Sequence, residues 1–209
     1  LAETIEDING KIDYLETGEP YLQSVPEDRA FAVAKSYLKL MGDCYFEKAD
    51  YDAALRSYET TIGKYQENAD ETNAKLAVVY SSAGYCHARL DNPEKATEYL
   101  NRAAGIYEQL GEDSYYPYAS LAHMYLAYAY SKMSPPDEEQ SMFNAEKSFA
   151  YYHNLSWIDN MDIEYVTNCK VVMSEVYANL YPDAGDGEFE NWCSKNIWTK
   201  AGNFRFKIQ

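Results

Sequence analysis

A glycine recurs in this chain at helical positions where almost any other residue would serve the helix better. Gly42 sits in YLKLMGDCYFEKADYDAALRSY and Gly84 in YSSAGYCHARLDNPEKATEYL. The two stretches superimpose at a spacing of 42 residues, with Cys44 on Cys86, Ala54 on Ala96 and Tyr58 on Leu100. Glycine costs about 1 kcal/mol of helix propensity relative to alanine, so its return at one phase needs a packing reason. Each stretch reads as two short helices around a sharp break. Antiparallel helices approach to about 8 Å only where the facing side chains are small. Gly42 is therefore expected to meet Ala54, and Gly84 to meet Ala96, at two tight crossings. A looser third copy places Ala127 in the glycine slot. Its second helix, EQSMFNAEKSFAYY, comes late, because Pro135 and Pro136 cannot continue the first one. It offers Ala145 as the small residue and Phe149 as the aromatic. A fourth, partial copy, VVMSEVYANLY, offers Ser174 and Tyr177.

This pattern resembles the tetratricopeptide repeat. That family carries a large apolar residue, Leu-Gly and Tyr on its first helix, then Ala, an aromatic and Ala on its second. Copy one supplies Leu38, Met41, Gly42, Tyr45, Tyr51, Ala54 and Tyr58; copy two supplies Tyr80, Ala83, Gly84, His87, Ala96, Leu100 and Ala103. The spacing exceeds the family's usual period of about 34 and resembles its long-period type, such as the repeats of kinesin light chains. The resemblance runs from about Ala34 to Leu180. It implies an all-α chain, an α-α superhelix of about three and a half helix-hairpin repeats. Residues 1–26 would form a linker or capping segment, 27–180 the repeat domain, and 181–209 a C-terminal helix and tail.

Capping signals agree with such a map. Helices are predicted near 27–48, 51–67, 70–90, 93–110, 115–133, 138–153, 161–180 and 188–200. Pro26, Asp70 and Asn92-Pro93-Glu94 mark starts, and Gly111 and Pro182 mark stops. Ile5, Ile8, Ile12 and Leu15 share one face of an N-terminal helix that either caps the stack or links to an upstream domain. The tail NFRFKIQ alternates like a strand or an extended linker.

Within the resemblance, the first helix of each unit lines a concave groove. The implied groove residues are Lys39, Asp43 and Phe46 from copy one, Tyr85 and Arg89 from copy two, and Met124, Tyr128 and Lys132 from copy three. Aromatic residues with scattered basic groups suit an extended or helical peptide. Family members that clamp the acidic tail of a chaperone use a Lys and two Asn residues. Here Lys39 fits, but Asp43 and Tyr85 stand at the Asn positions, and Leu121 replaces a Lys of the third unit. A carboxylate ligand would be repelled by Asp43, so that role is excluded.

The formal charge of −16, from 18 Lys and Arg against 34 Asp and Glu, repels phosphate backbones and anionic lipid. Nucleic acid and membrane are thereby set aside as partners, and no apolar run approaches the roughly 18 residues of a membrane span. None of Cys44, Cys86, Cys169 and Cys193 forms a CxxC pair. Cys44 and Cys86 occupy one slot in adjacent units, too far apart for a disulfide, and read as packing residues. His87, His123 and His153 have no HExxH-like partner, and DAGDGEFE lacks the alternate acids of a calcium loop. No cofactor, metal or catalytic residue is expected. The 22 tyrosines against 7 phenylalanines leave many core slots ending in a hydroxyl. The chain opens on Leu1 and is read as a segment of a longer protein; the compartment stays open, the cytoplasm slightly favoured. The functional expectation is a non-catalytic protein- or peptide-binding module. The alternative is a sensory or regulatory segment of a larger signalling protein, bacterial by preference.

Overall fold

The computed structural model describes residues 2–66, 73–153, 163–185 and 187–192. Nine helices follow one another among the described residues: α1 (Ala2–Gly18), α2 (Glu27–Glu47), α3 (Tyr51–Gln66), α4 (Ala74–Arg89), α5 (Pro93–Leu110), α6 (Tyr116–Ser131), α7 (Glu138–His153), α8 (Ile163–Leu180) and α9 (Glu188–Trp192). No strand occurs among these residues. Cys193 and the alternating tail fall outside them, as do the side chains of His153 and Cys169.

Helices α2–α3, α4–α5 and α6–α7 form hairpins, and each of α3 and α5 also packs on the first helix of the next pair. This is an α-α superhelix. One core runs through it from Ala54 on α3 to Trp192 on α9. A smaller cluster joins Ile8 and Ile12 of α1 to Met41 and Cys44 of α2. The N-terminal apolar stripe therefore covers the outer end of the first hairpin. Gly10 in α1 faces open space, so no close packing explains it.

The first two hairpin turns are copies in hydrogen-bond detail. Lys48, Ala49 and Asp50 donate their amides to the carbonyls of Cys44, Phe46 and Tyr45; Leu90, Asp91 and Asn92 donate to those of Cys86, Ala88 and His87. Ala49 and Asp91 both take the left-handed conformation, at φ 58° and 60°. The third turn is longer. Its corresponding closing donor would be Pro135, which has no N–H, and the carbonyl of Tyr130 is instead met by the amide of Asp137. Asp50 and Asp137 then cap α3 and α7, accepting from Ala53 N at 3.1 Å and Gln140 N at 3.0 Å. Helix α4 begins at Ala74 rather than at Asp70; Asn73 caps it by accepting from Lys75 N at 2.8 Å.

The crossings hold the expected small residues, with one refinement. A methyl group on Gly42 would lie 2.6 Å from Cε1 of Tyr58, and one on Gly84 would lie 2.6 Å from Cγ of Leu100 and 3.2 Å from the Ala96 carbonyl. Each glycine is thus the seat for a large side chain one turn beyond the small residue of the opposing helix. Ala54 and Ala96 are fully buried beside them. Ala127 and Ala145 are also fully buried, but the residue whose side chain reaches Ala127 is Ser141, one turn before Ala145; its hydroxyl donates to the Ala127 carbonyl at 2.8 Å. Ser174 is exposed, and its hydroxyl donates to the Val171 carbonyl of its own helix.

Candidate binding face

The residue after each small slot is Asp43, Tyr85, Tyr128 and Glu175, on α2, α4, α6 and α8. Four residues further on, the same helices carry Glu47, Arg89, Lys132 and Asn179. Two rows of side chains therefore run along the first helices, and their chemistry changes from end to end.

At the α2 end the polar groups satisfy each other. Lys39 Nζ lies 2.6 Å from Asp43 Oδ2, and the Tyr58 hydroxyl donates to Asp43 Oδ1 at 2.9 Å. Burial, reinforced by the Asp43 carboxylate, pushes the Tyr58 phenol well above its ordinary range. Asp43 is thus a structural acceptor for the first crossing as well as an inner-face residue.

At the centre the side chains converge. Tyr85 stacks on Tyr125 at a centroid distance of 4.2 Å, with Phe46 at 5.6 Å, Tyr128 at 5.9 Å and Tyr51 at 6.1 Å around it. The Arg89 guanidinium lies 5.6–5.8 Å from the ring centroids of Tyr51, Tyr85 and Tyr128. Its Nη1 meets Glu175 Oε2 at 2.6 Å, an ion pair about one third exposed. Burial opposes the charge on Arg89, but the Tyr85 and Tyr128 hydroxyls and the Glu175 carboxylate outweigh it and hold the guanidinium charged. Burial pushes the Tyr85 phenol up to about 12, against the pull of Arg89.

Of the expected groove residues, Phe46, Tyr85, Arg89 and Tyr128 come together in this cluster, and Lys39 and Asp43 pair with each other. Lys132 is paired with Asp91 of the second hairpin turn at 3.0 Å. Met124 is a correction: at 1% exposure it belongs to the core, because α6 is enclosed by α4, α5, α7 and α8. Tyr85 and Tyr128 are themselves 8% and 5% exposed, so in this arrangement they support the face from below. Sequence reasoning missed Tyr51 and Tyr125 as members of the cluster and Glu175 as the partner of Arg89. The signal for Glu175 was present: it stands one residue after Ser174, as Asp43 stands after Gly42.

Helices α4 and α6 each pack on their own hairpin partner and on the second helix of the preceding pair, whereas α8 packs chiefly on α6. From α8, Asn179 donates to Ser131 Oγ at 3.0 Å and Glu175 reaches across to Arg89 of α4. Val172, Met173 and Val176 anchor α8 to the main core.

Chemistry of other kinds has little to work with. Cys44 and Cys86 are buried free thiols, and burial pushes the latter up to about 12, far from a reactive thiolate. Among the described residues no three of His, Cys, Asp or Glu are grouped to hold a metal ion, and no helix is long and apolar enough to cross a membrane. His87 is buried against Tyr99, with Nε2 3.4 Å from Glu59 Oε1; burial holds its imidazole below the ordinary value, against the pull of Glu59.

Comparison with known proteins places this geometry. No curated protein matches the chain. Residues 32–109 match the model of the tetratricopeptide repeat. That segment spans α2 to α5, the two hairpins whose turn hydrogen bonds correspond one to one and which both seat a large side chain on a glycine. Through these two hairpins the chain is similar to the tetratricopeptide repeat, whose repeats generally mediate protein–protein interaction and are typically not catalytic.

Proposed function

We propose that the chain is a non-catalytic protein- or peptide-binding module that uses the concave face of its solenoid. One observation carries the reading: Arg89, at the centre of the inner face, is held by three tyrosine rings and aimed at a carboxylate on a neighbouring helix. Rigid aromatic side chains around one arginine supply contact area at low entropic cost, the composition of binding hot spots. A planar guanidinium also recognises carboxylates with fixed geometry. The Lys39–Asp43 pair beside it is charge-neutral and would screen partners by shape more than by net charge.

The test is calorimetry of a panel of helical peptides against the chain. Arg89→Glu is expected to weaken the peptides that bind by at least tenfold, since it reverses the charge at the centre of the face. Lys95→Glu, exposed on the second helix α5, is expected to leave binding unchanged. Equal affinity for the parent and Arg89→Glu chains would move the site off the inner face.

A further inference from the structure

Helix α8 differs from the other first helices in what restrains it. Helices α4 and α6 are each clasped between two second helices. Among the described residues helix α8 meets α7 at few points besides the Tyr181 hydroxyl just beyond its end, which donates to Glu138, and it is followed by the five-residue α9, whose Phe189 and Trp192 pack on Tyr177. Among the described residues α8 is also held by the Glu175–Arg89 ion pair, the Asn179–Ser131 hydrogen bond and the apolar residues Val172, Met173 and Val176. The ion pair is partly open to water, so a competing carboxylate can approach it.

We infer that α8 is an exchangeable occupant of the inner face, and that the partner is an amphipathic helix bearing a carboxylate that takes the place of Glu175 on Arg89. This inference rests on the concave-face reading above. The partner's pattern follows from the occupant: apolar residues three before, two before and one after the acid, as Val172, Met173 and Val176 stand to Glu175. Three, two and one residues place these side chains on one side of a helix, with the acid at its edge. Because α8 is tethered, it competes at an effective concentration in the millimolar range, and a free helix binds weakly until α8 is loosened. The acid is what distinguishes the site: Arg89 would be left facing tyrosines alone when α8 departs, and an acid-bearing helix restores its partner.

The test uses a fluorescent peptide of residues 170–182 titrated into the whole chain. The expected result is at least tenfold tighter binding to the Glu175→Lys chain than to the parent, because the tethered helix is then repelled by Arg89. Adding Arg89→Glu to that chain is expected to abolish the gain, and a peptide carrying Glu175→Lys is expected to bind at least tenfold less well. Glu175→Gln, a milder change, is expected to give a smaller gain in the same direction, and amide exchange over α2 to α5 reports whether the stack itself is intact. The inference is overturned if the parent and both Glu175 variants take up the peptide equally, or if the Lys-bearing peptide binds as well as the parent peptide. If helical peptides from the calorimetric panel lose affinity in Arg89→Glu while the 170–182 peptide shows no exchange, the concave-face reading stands and the role of α8 falls.

Discussion

The first two hairpins and the third pack their helices together by different means. In α2–α3 and α4–α5 a glycine on one helix receives a large side chain from the other, Tyr58 or Leu100. In α6–α7 no glycine is used. Small and polar side chains form a ladder instead: Ser120 and Ser148 each donate to the other's carbonyl at 2.9 and 2.7 Å, His123 Nδ1 lies 2.8 Å from Asn144 Oδ1, and Ser141 reaches the Ala127 carbonyl. All of these groups are buried. The first solution is intolerant of added volume. The second is intolerant of a lost partner, because each buried polar group then stands alone. The same fold is thus held by steric fit at one end and by hydrogen-bond complementarity further along.

The largest expected effect breaks the comparison on the steric side. Gly84→Ala places a methyl against Leu100 and the Ala96 carbonyl, and the carbonyl cannot swing away. It is expected to cost about 2–3 kcal/mol. Gly42→Ala, against the Tyr58 ring held by Asp43, falls in the same range or slightly below. Urea unfolding of both variants checks this; a change under a few tenths of a kcal/mol would mean that the helices part freely there.

The polar side follows. Asn144→Ala leaves His123 Nδ1 without its buried partner and is expected to cost about 1–2 kcal/mol. Ser148→Ala alone is expected to cost about 1 kcal/mol, whereas Ser120→Ala with Ser148→Ala is expected to cost less than the sum of the two singles, because the pair is removed together. A double-mutant cycle measures the coupling. Strict additivity would show that the two hydroxyls act independently.

Acid sharpens the contrast. His123 and Lys147 hold the Glu108 carboxyl down to about 2, against the opposing effect of burial. At 3.7 Å the His123 contact is too long for a hydrogen bond, and Lys147 is the closer restraint. A carboxyl depressed below its ordinary value of about 4.3 contributes stability that is complete above about pH 4.5 and lost as pH falls toward 2. Glu108 is partly exposed, so solvent screening keeps the effect to about 1 kcal/mol or less. The urea midpoint is expected to fall more steeply over that window in the parent chain than in Glu108→Gln; parallel profiles would remove Glu108 from the joint between the second and third hairpins.

The smallest effect concerns the turns. Ala49 stands in the left-handed region, where glycine has no steric penalty. Ala49→Gly is expected to raise stability by about 0.5 kcal/mol, read from the shift in urea midpoint. A loss of stability would show that the added freedom of the unfolded chain outweighs the relief.

The comparison also marks what the sequence could show. A glycine inside a helix is costly, so Gly42 and Gly84 stand out against any background, and the turns that follow them repeat because their hydrogen bonds are local. The α6–α7 ladder was illegible because Ser, Asn and His at helix positions carry no sign of being buried; the partner that satisfies each lies 14 to 28 residues away. The small slot of α7 was read one turn late, at Ala145, for the same reason: Ser141 is as small as the crossing requires, but a serine gives no apolar signal. The inner-face slots of Asp43, Tyr85 and Tyr128 followed from the repeat. The Glu175–Arg89 pair did not, since slot assignment says which side of its helix Glu175 stands on but not which residue of α4 it reaches.

The most direct test of an inner face built around Arg89 is a charge-swap cycle with amide hydrogen exchange read over α8. Arg89→Glu and Glu175→Arg are each expected to speed exchange in α8 by about tenfold, and the two together to restore protection to near the parent level. A double variant no better protected than the faster single would contradict the pairing, and with it the face on which the functional reading depends.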